Sequence, residues 1–256
     1  MQLVVFTDLD GTLLDHATYS HAAAAPALAE LRRRRIPLVL ASSKTAAEIA
    51  PLHAELGLGA APAIVENGAG LLEPAAPEGG DAAEYARIRA ALDAVPPGPR
   101  ARYRGFGDMS DAEVAELTGL SREEAARARR RCHSEPGLWA GSEADRAAFE
   151  AALAERGIHA RAGGRFLTLS LGRTKADAMR AVAARLGAET TVALGDAPND
   201  AEMLAAADYA VVVRNDHAPP VPPLPEKPAG RIRRTDRPGP EGWNAAVLGL
   251  LEEIGG

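Results

Sequence analysis

The sequence predicts an α/β protein in which a doubly wound parallel sheet is interrupted by an inserted α+β domain. Short apolar runs that end in polar residues alternate with helical segments near both ends of the chain, an order typical of a parallel sheet. Between them, from about residue 73, a proline- and glycine-rich stretch leads into a region of different helix and hairpin pattern. A chain of 256 residues is long enough for such a core and a smaller domain.

The first half of the core is predicted as strand, helix, strand, helix and strand. The apolar, β-prone run at residues 4–7 predicts a buried strand. Residues 20–35 favour a helix that begins near Pro26, because proline is tolerated in the first helical turn but not further on. The next elements are a strand at 36–41, a helix at 45–56 with a candidate kink at Pro51, and a short strand at 63–66 that runs into the turn pair Asn67-Gly68.

The inserted domain is predicted to contain helices followed by a β-hairpin. A helix is expected at 84–95, and residues 102–110 are expected to form a glycine-spaced loop. Ser110 and Ser121 each begin a capping box, which predicts two short helices. A further helix runs from Ser142 to Gly157, and residues 158–171 predict a hairpin.

The second half of the core resumes with a helix at 174–186. Strands are expected at 190–194 and 209–213, a proline-rich loop at 218–228, and a closing helix at 243–254. The expected domains are therefore a Rossmann-like core formed by 1–80 and 173–256, and an insert formed by 81–172.

Composition and charge argue against several classes of function. A net charge of -6 and a pI near 5.6 disfavour a nucleic-acid-binding protein, and the arginine runs at 32–35 and 129–131 are expected to be solvated helix ends. Cys132 is the single cysteine, so no intramolecular disulfide can form. No apolar stretch reaches the roughly 20 residues of a membrane helix. We therefore expect a soluble, cytoplasmic protein with a small-molecule ligand and no nucleic-acid or membrane partner; a homodimer is compatible with the sequence.

Polar residues follow several predicted core strands. They are Asp8, Asp10, Ser42, Asp196, Asn199 and Asp200. The carboxyl ends of parallel strands meet at one edge of a sheet, where α/β proteins bind ligands. Paired carboxylates attract a hard divalent cation, and Lys175, in a chain with lysine at only three positions, begins a helix that can reach the same crevice. The set suits phosphoryl transfer, although Asp8-Leu9-Asp10-Gly11 alone also fits an ordinary strand-ending turn.

Asp8-Leu9-Asp10-Gly11-Thr12, followed in order by Ser42, Lys175 and Gly195-Asp196, resembles the motifs of the haloacid dehalogenase-like hydrolases. The resemblance implies that Asp8 is a nucleophile that forms an aspartyl-phosphate, and that Asp10 is first a general acid and then a base. Ser42 and Lys175 would contact the phosphate. Mg²⁺ would be held by Asp8, Asp196 and the carbonyl oxygen of Asp10, with Asp200 as a further ligand or a partner of a metal-bound water, oriented by Asn199.

A narrower resemblance, to the mannosyl-3-phosphoglycerate phosphatases, spans nearly the whole chain. The matching segments are Ser42-Ser43-Lys44-Thr45, Glu66-Asn67-Gly68, residues 104–110, Gly163-Gly164-Arg165-Phe166, residues 195–200 and Gly239-Pro240-Glu241-Gly242-Trp243. This resemblance implies hydrolysis of 2-O-(α-D-mannosyl)-3-phosphoglycerate to mannosylglycerate, a compatible solute, and it makes the insert a cap over the active site. The implied substrate-binding residues are Ser43, Lys44, Glu66, Asn67, Asp108, Met109, Ser110, Gly164, Arg165 and Asn199.

Within that set, Lys44 and Arg165 are candidates for the glyceryl carboxylate, and Glu66, Asn67 and Asp108 for sugar hydroxyls. Three other interpretations stay open: a phosphatase for another sugar phosphate, such as glucosyl-3-phosphoglycerate or sucrose phosphate; a sugar phosphomutase; and a non-catalytic sugar-phosphate sensor. Two departures from the commoner superfamily pattern, Ser42-Ser43-Lys44 in place of Thr-Gly-Arg and Ala176 in place of glycine, indicate a particular subgroup.

Overall fold

The computed structural model describes residues 2–76 and 82–255. Its strands, in chain order, are β1 (Leu3–Thr7), β2 (Leu38–Leu40), β3 (Ala63–Val65), β4 (Gly70–Leu72), β5 (Tyr103–Gly105), β6 (Ser134–Trp139), β7 (His159–Gly163), β8 (Phe166–Ser170), β9 (Thr190–Gly195), β10 (Tyr209–Arg214) and β11 (Ile232–Pro238). Its helices are α1 (Ala25–Arg33), α2 (Ala46–Glu55), α3 (Ala83–Asp93), α4 (Pro97–Arg100), α5 (Asp111–Thr118), α6 (Arg122–Ala128), α7 (Glu143–Ala154), α8 (Lys175–Arg185), α9 (Ala201–Ala206) and α10 (Gly239–Gly255).

Capping boxes fix where several helices begin. In each, a Ser or Thr side chain accepts a hydrogen bond from a backbone N–H three residues on, and the acidic side chain there bonds back. The two boxes predicted at Ser110 and Ser121 are confirmed at the starts of α5 and α6. Three more begin α2, α7 and α8.

The core is a parallel sheet in the order β11-β10-β9-β1-β2, with helices on both faces. Alternate side chains of β1 enter two separate apolar clusters: Val5 packs in the cluster that contains Trp243, and Phe6 packs in the one that contains Met179. Because both faces are covered, all five residues of β1 are buried, and the first four are apolar instead of alternating with polar ones. The predicted fold class is confirmed, and the sheet brings the carboxyl ends of β1, β2 and β9 to one edge.

A short antiparallel pair, β3 and β4, lies beside this edge. A parallel bridge between Ala41 and Ile64 joins it to the chain after β2. Between the two strands, residues Glu66–Gly68 form a single 3-10 turn, in which the predicted pair Asn67-Gly68 lies. This turn faces the start of α8.

The cap is built on an antiparallel sheet in the order β5-β6-β8-β7. Helices α3 and α7 cover one apolar cluster of the cap, and α5 and α6 cover a second. The predicted hairpin at 158–171 is confirmed as β7 and β8. The loop expected at 102–110 is wrong in part, because Tyr103–Gly105 pairs with β6 as a strand. The boundary expected at 80/81 lies outside the described residues, and the one at 172/173 stays a prediction.

Two features of the second half were not predicted. β11 adds a parallel edge strand beside β10, and the short helix α9 follows β9. The proline-rich residues 218–228 form neither helix nor strand, as expected. Within the part of the chain that the structure describes, no helix has both the length and the apolar character needed to cross a membrane.

Candidate active site

Asp8 and Asp10 lie just after β1, at the carboxyl edge of the sheet. The N–H of Asp8 donates to the carbonyl of Leu194 (2.9 Å), so the residue is held beside β9. Asp10 is bonded through Oδ2 to the Nζ of Lys44 at 3.0 Å, whereas its Oδ1 is buried without a hydrogen-bond partner among the described residues. Gly11 turns the chain with φ +82°, and a Cβ there would lie 2.2 Å from Asn215 Nδ2.

Lys175, the first residue of α8, brings a buried cation to these carboxylates. Its Nζ lies 2.7 Å from Asp8 Oδ1 and 2.7 Å from Asp200 Oδ1, and its side chain is 1% exposed. Burial alone would lower the pKa of Lys175. The negative charges of Asp200 and Asp8 raise it by more than burial lowers it, so the ammonium stays protonated. A Cβ on Gly68 would lie 2.1 Å from the carbonyl carbon of Thr174, so a glycine is needed for α8 to begin this close to the turn.

Asp196 and Asp200 come from the end of β9 and the turn that follows it. The Asp196 carboxylate accepts hydrogen bonds from Thr12 Oγ1 and from Asn215 Nδ2, the latter at 2.7 Å. Asp200 Oδ2 accepts from the N–H groups of Asp196 (3.1 Å) and Ala197 (3.2 Å). These bonds fix both carboxylates in one orientation while they remain buried.

The three carboxylates of Asp8, Asp196 and Asp200 fit a divalent cation. Each offers an oxygen, and those three oxygens lie within 4.8 Å of one another. Burial, followed by the charge of Asp200, raises the pKa of Asp8 well above its usual range, and burial also raises the pKa of Asp196. Three buried carboxylates face the single buried ammonium of Lys175, so the negative charges outnumber the positive one. Carboxylate oxygens are the ligands that Mg²⁺ prefers.

The loop after β2 supplies a hydroxyl and a second lysine. Ser42 is 1% exposed and its Oγ accepts from the N–H of Lys44 (3.2 Å). The Asp10 carboxylate raises the pKa of Lys44 although burial lowers it, which keeps this lysine charged beside Asp10. The carbonyl oxygen of Ser43 accepts a hydrogen bond from Arg131 Nη1 at 3.0 Å. The run at 129–131 was expected to be solvated, which is wrong for Arg131: its side chain is 9% exposed because it lies between cap and core.

Glu66, one of the residues expected near sugar hydroxyls, is hydrogen-bonded within the protein. Its buried carboxylate accepts from the N–H of Cys132 (2.9 Å) and from Ser134 Oγ (2.7 Å), so it joins the core to the cap. Asn67 accepts a bond from Asn199 Nδ2 at 3.2 Å. The expectation that Asn199 orients Asp200 is therefore wrong, since backbone N–H groups and Lys175 hold that carboxylate.

The candidates in the cap make contacts within the cap. Asp108 bonds to Arg89 (2.6 Å) and Arg100 (3.1 Å). Met109 is buried in an apolar cluster, and Ser110 caps α5. Arg165 Nη1 donates to the carbonyl of Leu117 (2.7 Å), while Gly164 occupies the hairpin turn with φ +56°. Their assignment to substrate binding stays a prediction.

Sequence reasoning missed three residues at or beside this site: Thr12, Arg131 and Asn215. Asn215 follows β10 at the same sheet edge, and asparagine is scarce in this chain, so a signal was present. Thr12 lies within the Asp8-to-Thr12 motif, but nothing in the sequence indicated its bond to Asp196. Arg131 carried no signal that separated it from its neighbours.

The fold is a parallel sheet with an inserted cap. Buried carboxylates, Ser42 and Lys175 meet at the carboxyl edge of that sheet. This fold and this set of side chains are typical of α/β enzymes that transfer phosphoryl groups. The sequence profile described as "haloacid dehalogenase-like hydrolase" matches residues 5–76 and 146–219. This chain belongs to that family.

Solved structures share the fold along the whole chain. A protein of Thermoplasma acidophilum is 15% identical with a TM-score of 0.64, covering 100% of this chain and 99% of its own. A phosphatase from Bacteroides thetaiotaomicron is 19% identical with a TM-score of 0.62, covering 100% and 96%. The sucrose-phosphatase from Synechocystis sp. PCC6803, solved with sucrose and phosphate, is 16% identical with a TM-score of 0.62, covering 99% and 98%. At these identities, the likeness establishes the fold alone.

Proposed function

We propose that this chain is a Mg²⁺-dependent phosphatase that hydrolyses 2-O-(α-D-mannosyl)-3-phosphoglycerate to mannosylglycerate and phosphate. The observation that carries the phosphatase part is the buried ammonium of Lys175, bonded to Asp8 and Asp200 at 2.7 Å each beside a third carboxylate. This arrangement suits a phosphoryl group, because positive charge and a nucleophilic carboxylate meet at one point.

Asp8 and Asp10 divide the reaction between them. A carboxylate oxygen of Asp8 attacks phosphorus and forms an aspartyl-phosphate, while the bond from phosphorus to the ester oxygen breaks and Asp10 gives that oxygen its proton. Asp10 then takes a proton from water, which attacks the phosphorus, releases phosphate and restores the Asp8 carboxylate. The buried Oδ1 of Asp10, without a partner among the described residues, is suited to an external group.

Lys175 and Ser42 position the phosphoryl group in this scheme. Lys175 reduces the repulsion between the Asp8 carboxylate and the anionic substrate, and the Ser42 hydroxyl donates to a phosphoryl oxygen. Asp8, Asp196 and Asp200 would hold Mg²⁺, with the carbonyl of Asp10 as a further ligand. When bound, this ion supplies charge that neutralises the transferring phosphoryl oxygens.

The substrate assignment rests on the motif resemblance and on the position of Lys44. Its Nζ is 3.0 Å from Asp10, so it lies where the leaving group of a phosphate ester departs, and it can pair with a glyceryl carboxylate. Sugar phosphatases among proteins of the same fold, including the sucrose-phosphatase, support a sugar phosphate as the substrate class. We further propose a cytoplasmic location and no nucleic-acid or membrane partner; whether the chain acts as a monomer or a homodimer stays open.

The test is phosphate release with Mg²⁺ from mannosyl-3-phosphoglycerate, glucosyl-3-phosphoglycerate, sucrose 6-phosphate, mannose 6-phosphate and free 3-phosphoglycerate, each with and without EDTA. We expect the mannosyl compound to be preferred by about a hundredfold in kcat/KM, equivalent to about 2.7 kcal/mol. Equal rates on all compounds would refute the mannosyl substrate and would be consistent with a phosphatase of broad specificity. Transfer of phosphate between sugar positions without net release would identify a mutase, and no turnover of any compound would contradict the phosphatase.

A further inference from the structure

Tyr19 is an exposed aromatic side chain close to the active site. It lies in the loop between the Asp8-to-Thr12 motif and α1, and it is 56% exposed. Among the described residues, it is the large hydrophobic side chain that is left exposed. The mechanism above gives it no role, and no apolar cluster of the core or cap includes it.

The loop holds Tyr19 in a fixed and strained conformation. The Asp15 carboxylate accepts from the N–H of Thr18 (2.8 Å) and from its hydroxyl (2.8 Å), and the Asp15 carbonyl accepts from the N–H of Tyr19 (2.9 Å). The φ of Tyr19 is +55°, in the left-handed region that bulky residues rarely adopt. Strain of this kind persists where the surroundings enforce it, and it clusters at ligand sites.

The ring faces the group that we place at the leaving-group side of the reaction. Lys44 Nζ lies 5.5 Å from the centroid of the Tyr19 ring and 3.0 Å from Asp10 Oδ2. A single ammonium group therefore separates the ring from the carboxyl that protonates the leaving oxygen. Whatever is attached to that oxygen must lie near Lys44, where the ring offers it an apolar surface.

We propose that Tyr19 determines specificity by stacking against the pyranose ring of a glycosyl leaving group. The face of a sugar that carries C–H bonds packs against an aromatic ring, while its hydroxyls remain free for polar partners. Lys44 would then hold the carboxylate of the same leaving group. This inference rests on the proposed function and extends it, because it assigns the sugar to a core residue and not to the cap alone.

The test compares Tyr19→Phe with Tyr19→Asn and Tyr19→Gly. Asn and Gly both tolerate a positive φ, so they remove the ring without adding strain, and Phe keeps the ring. We expect the Asn and Gly variants to raise KM for mannosyl-3-phosphoglycerate by about tenfold with kcat unchanged, the pattern of lost uniform binding, and Tyr19→Phe to stay within about twofold. Acetyl phosphate, which has no sugar, should be hydrolysed equally by all four proteins.

Two outcomes overturn the inference while the proposed function stands. One is an unchanged KM for the glycosyl substrate in both the Asn and Gly variants. The other is an equal loss on acetyl phosphate, which would mean that the ring supports the loop or the cap instead of the sugar. If wild-type protein hydrolyses acetyl phosphate but no glycosyl compound, the substrate assignment and this inference fall together; if it hydrolyses neither, the phosphatase itself is refuted. Melting temperatures of the variants check that each one is folded.

Discussion

Two groups of charges in this molecule differ in their balance. In the core, the carboxylates of Asp8, Asp10, Asp196 and Asp200 face two lysines, Lys44 and Lys175. In the cap, the carboxylates of Asp108 and Glu135 face two arginines, Arg89 and Arg100. We refer to these sets as the core carboxylate cluster and the cap charge cluster.

The difference separates a site from a structural network. Buried charge is costly unless it is paired, and the cap charge cluster pairs its charges internally. Tyr85 and the N–H of Gly107 also donate to Glu135, so that carboxylate has a full set of partners. The core carboxylate cluster keeps an excess of negative charge, which a divalent cation would offset. Removing one charge should therefore have opposite consequences for stability in the two places.

The largest effect is expected from Asp8→Asn. In the proposed reaction Asp8 is the nucleophile, so without its carboxylate turnover should fall by about 10⁴-fold or more, as measured by phosphate release. The melting temperature in EDTA should not fall. Burial raises the pKa of the Asp8 carboxyl, which means that its ionised form destabilises the folded state, and the substitution removes that form. Asp236→Asn, at an exposed position of β11, serves as the control and should leave both quantities unchanged. A loss of stability in Asp8→Asn would remove the contrast between the two clusters.

In the cap, Glu135→Gln should reduce the free energy of unfolding by about 2 kcal/mol, because Arg89 and Tyr85 lose a buried anionic partner. Urea unfolding measures this change. Phosphate release from acetyl phosphate by the folded variant should match wild type. For comparison, Glu150→Gln removes a more exposed carboxylate that pairs with Arg146 and should cost at most about 0.5 kcal/mol. Equal losses in the two variants would show that the cap charge cluster adds nothing beyond a surface ion pair.

The smallest effect concerns the metal. Mg²⁺ at ten times its dissociation constant should stabilise the folded protein by about 1.4 kcal/mol and raise Tm by roughly 3 to 6 °C. EDTA should reverse the shift. Asp196→Asn should abolish it, whereas Glu135→Gln should keep it, since only the former lies among the three clustered carboxylates. An equal shift in Asp196→Asn would place the ion elsewhere.

The central strands of the core sheet could be predicted because they are buried on both faces and therefore form apolar runs. Each of these runs is followed by polar residues, such as Asp8 after β1 and Asp196 after β9. β11 was missed because it is an edge strand, rich in arginine and mostly solvent-accessible, and so it has no apolar pattern. β6 was missed for the opposite reason: it is buried at Ser134 and Glu135 and contains Pro136 and Gly137, which argue against a central strand.

The same distinction applies to the site. The sequence placed Asp8, Asp10 and Lys175 at one crevice because the two aspartates belong to a spaced motif and lysine is scarce in this chain. In contrast, Glu66, Asp108 and Arg165 were assigned to the substrate through the motif resemblance, and in the structure their side chains form bonds within the protein. Asn199 illustrates this limit, since its bond to Asn67 depends on how two distant turns meet. Arg131 depends likewise on how the cap rests against the loop after β2.

The hydrogen bonds that Glu66 accepts from the cap restrict how the cap can be exchanged in protein engineering. Its carboxylate, on the core, is matched to donors at Cys132 and Ser134 of the cap, and Thr45 Oγ1 donates to the carbonyl of Arg127 across the same boundary. A cap transplanted from a relative would have to present the same donors at the same places, or leave a buried anion unpaired in the recipient. These bonds are kept in an exchanged cap only if residues 127–134 are transferred together with Glu66 and Thr45 of the core.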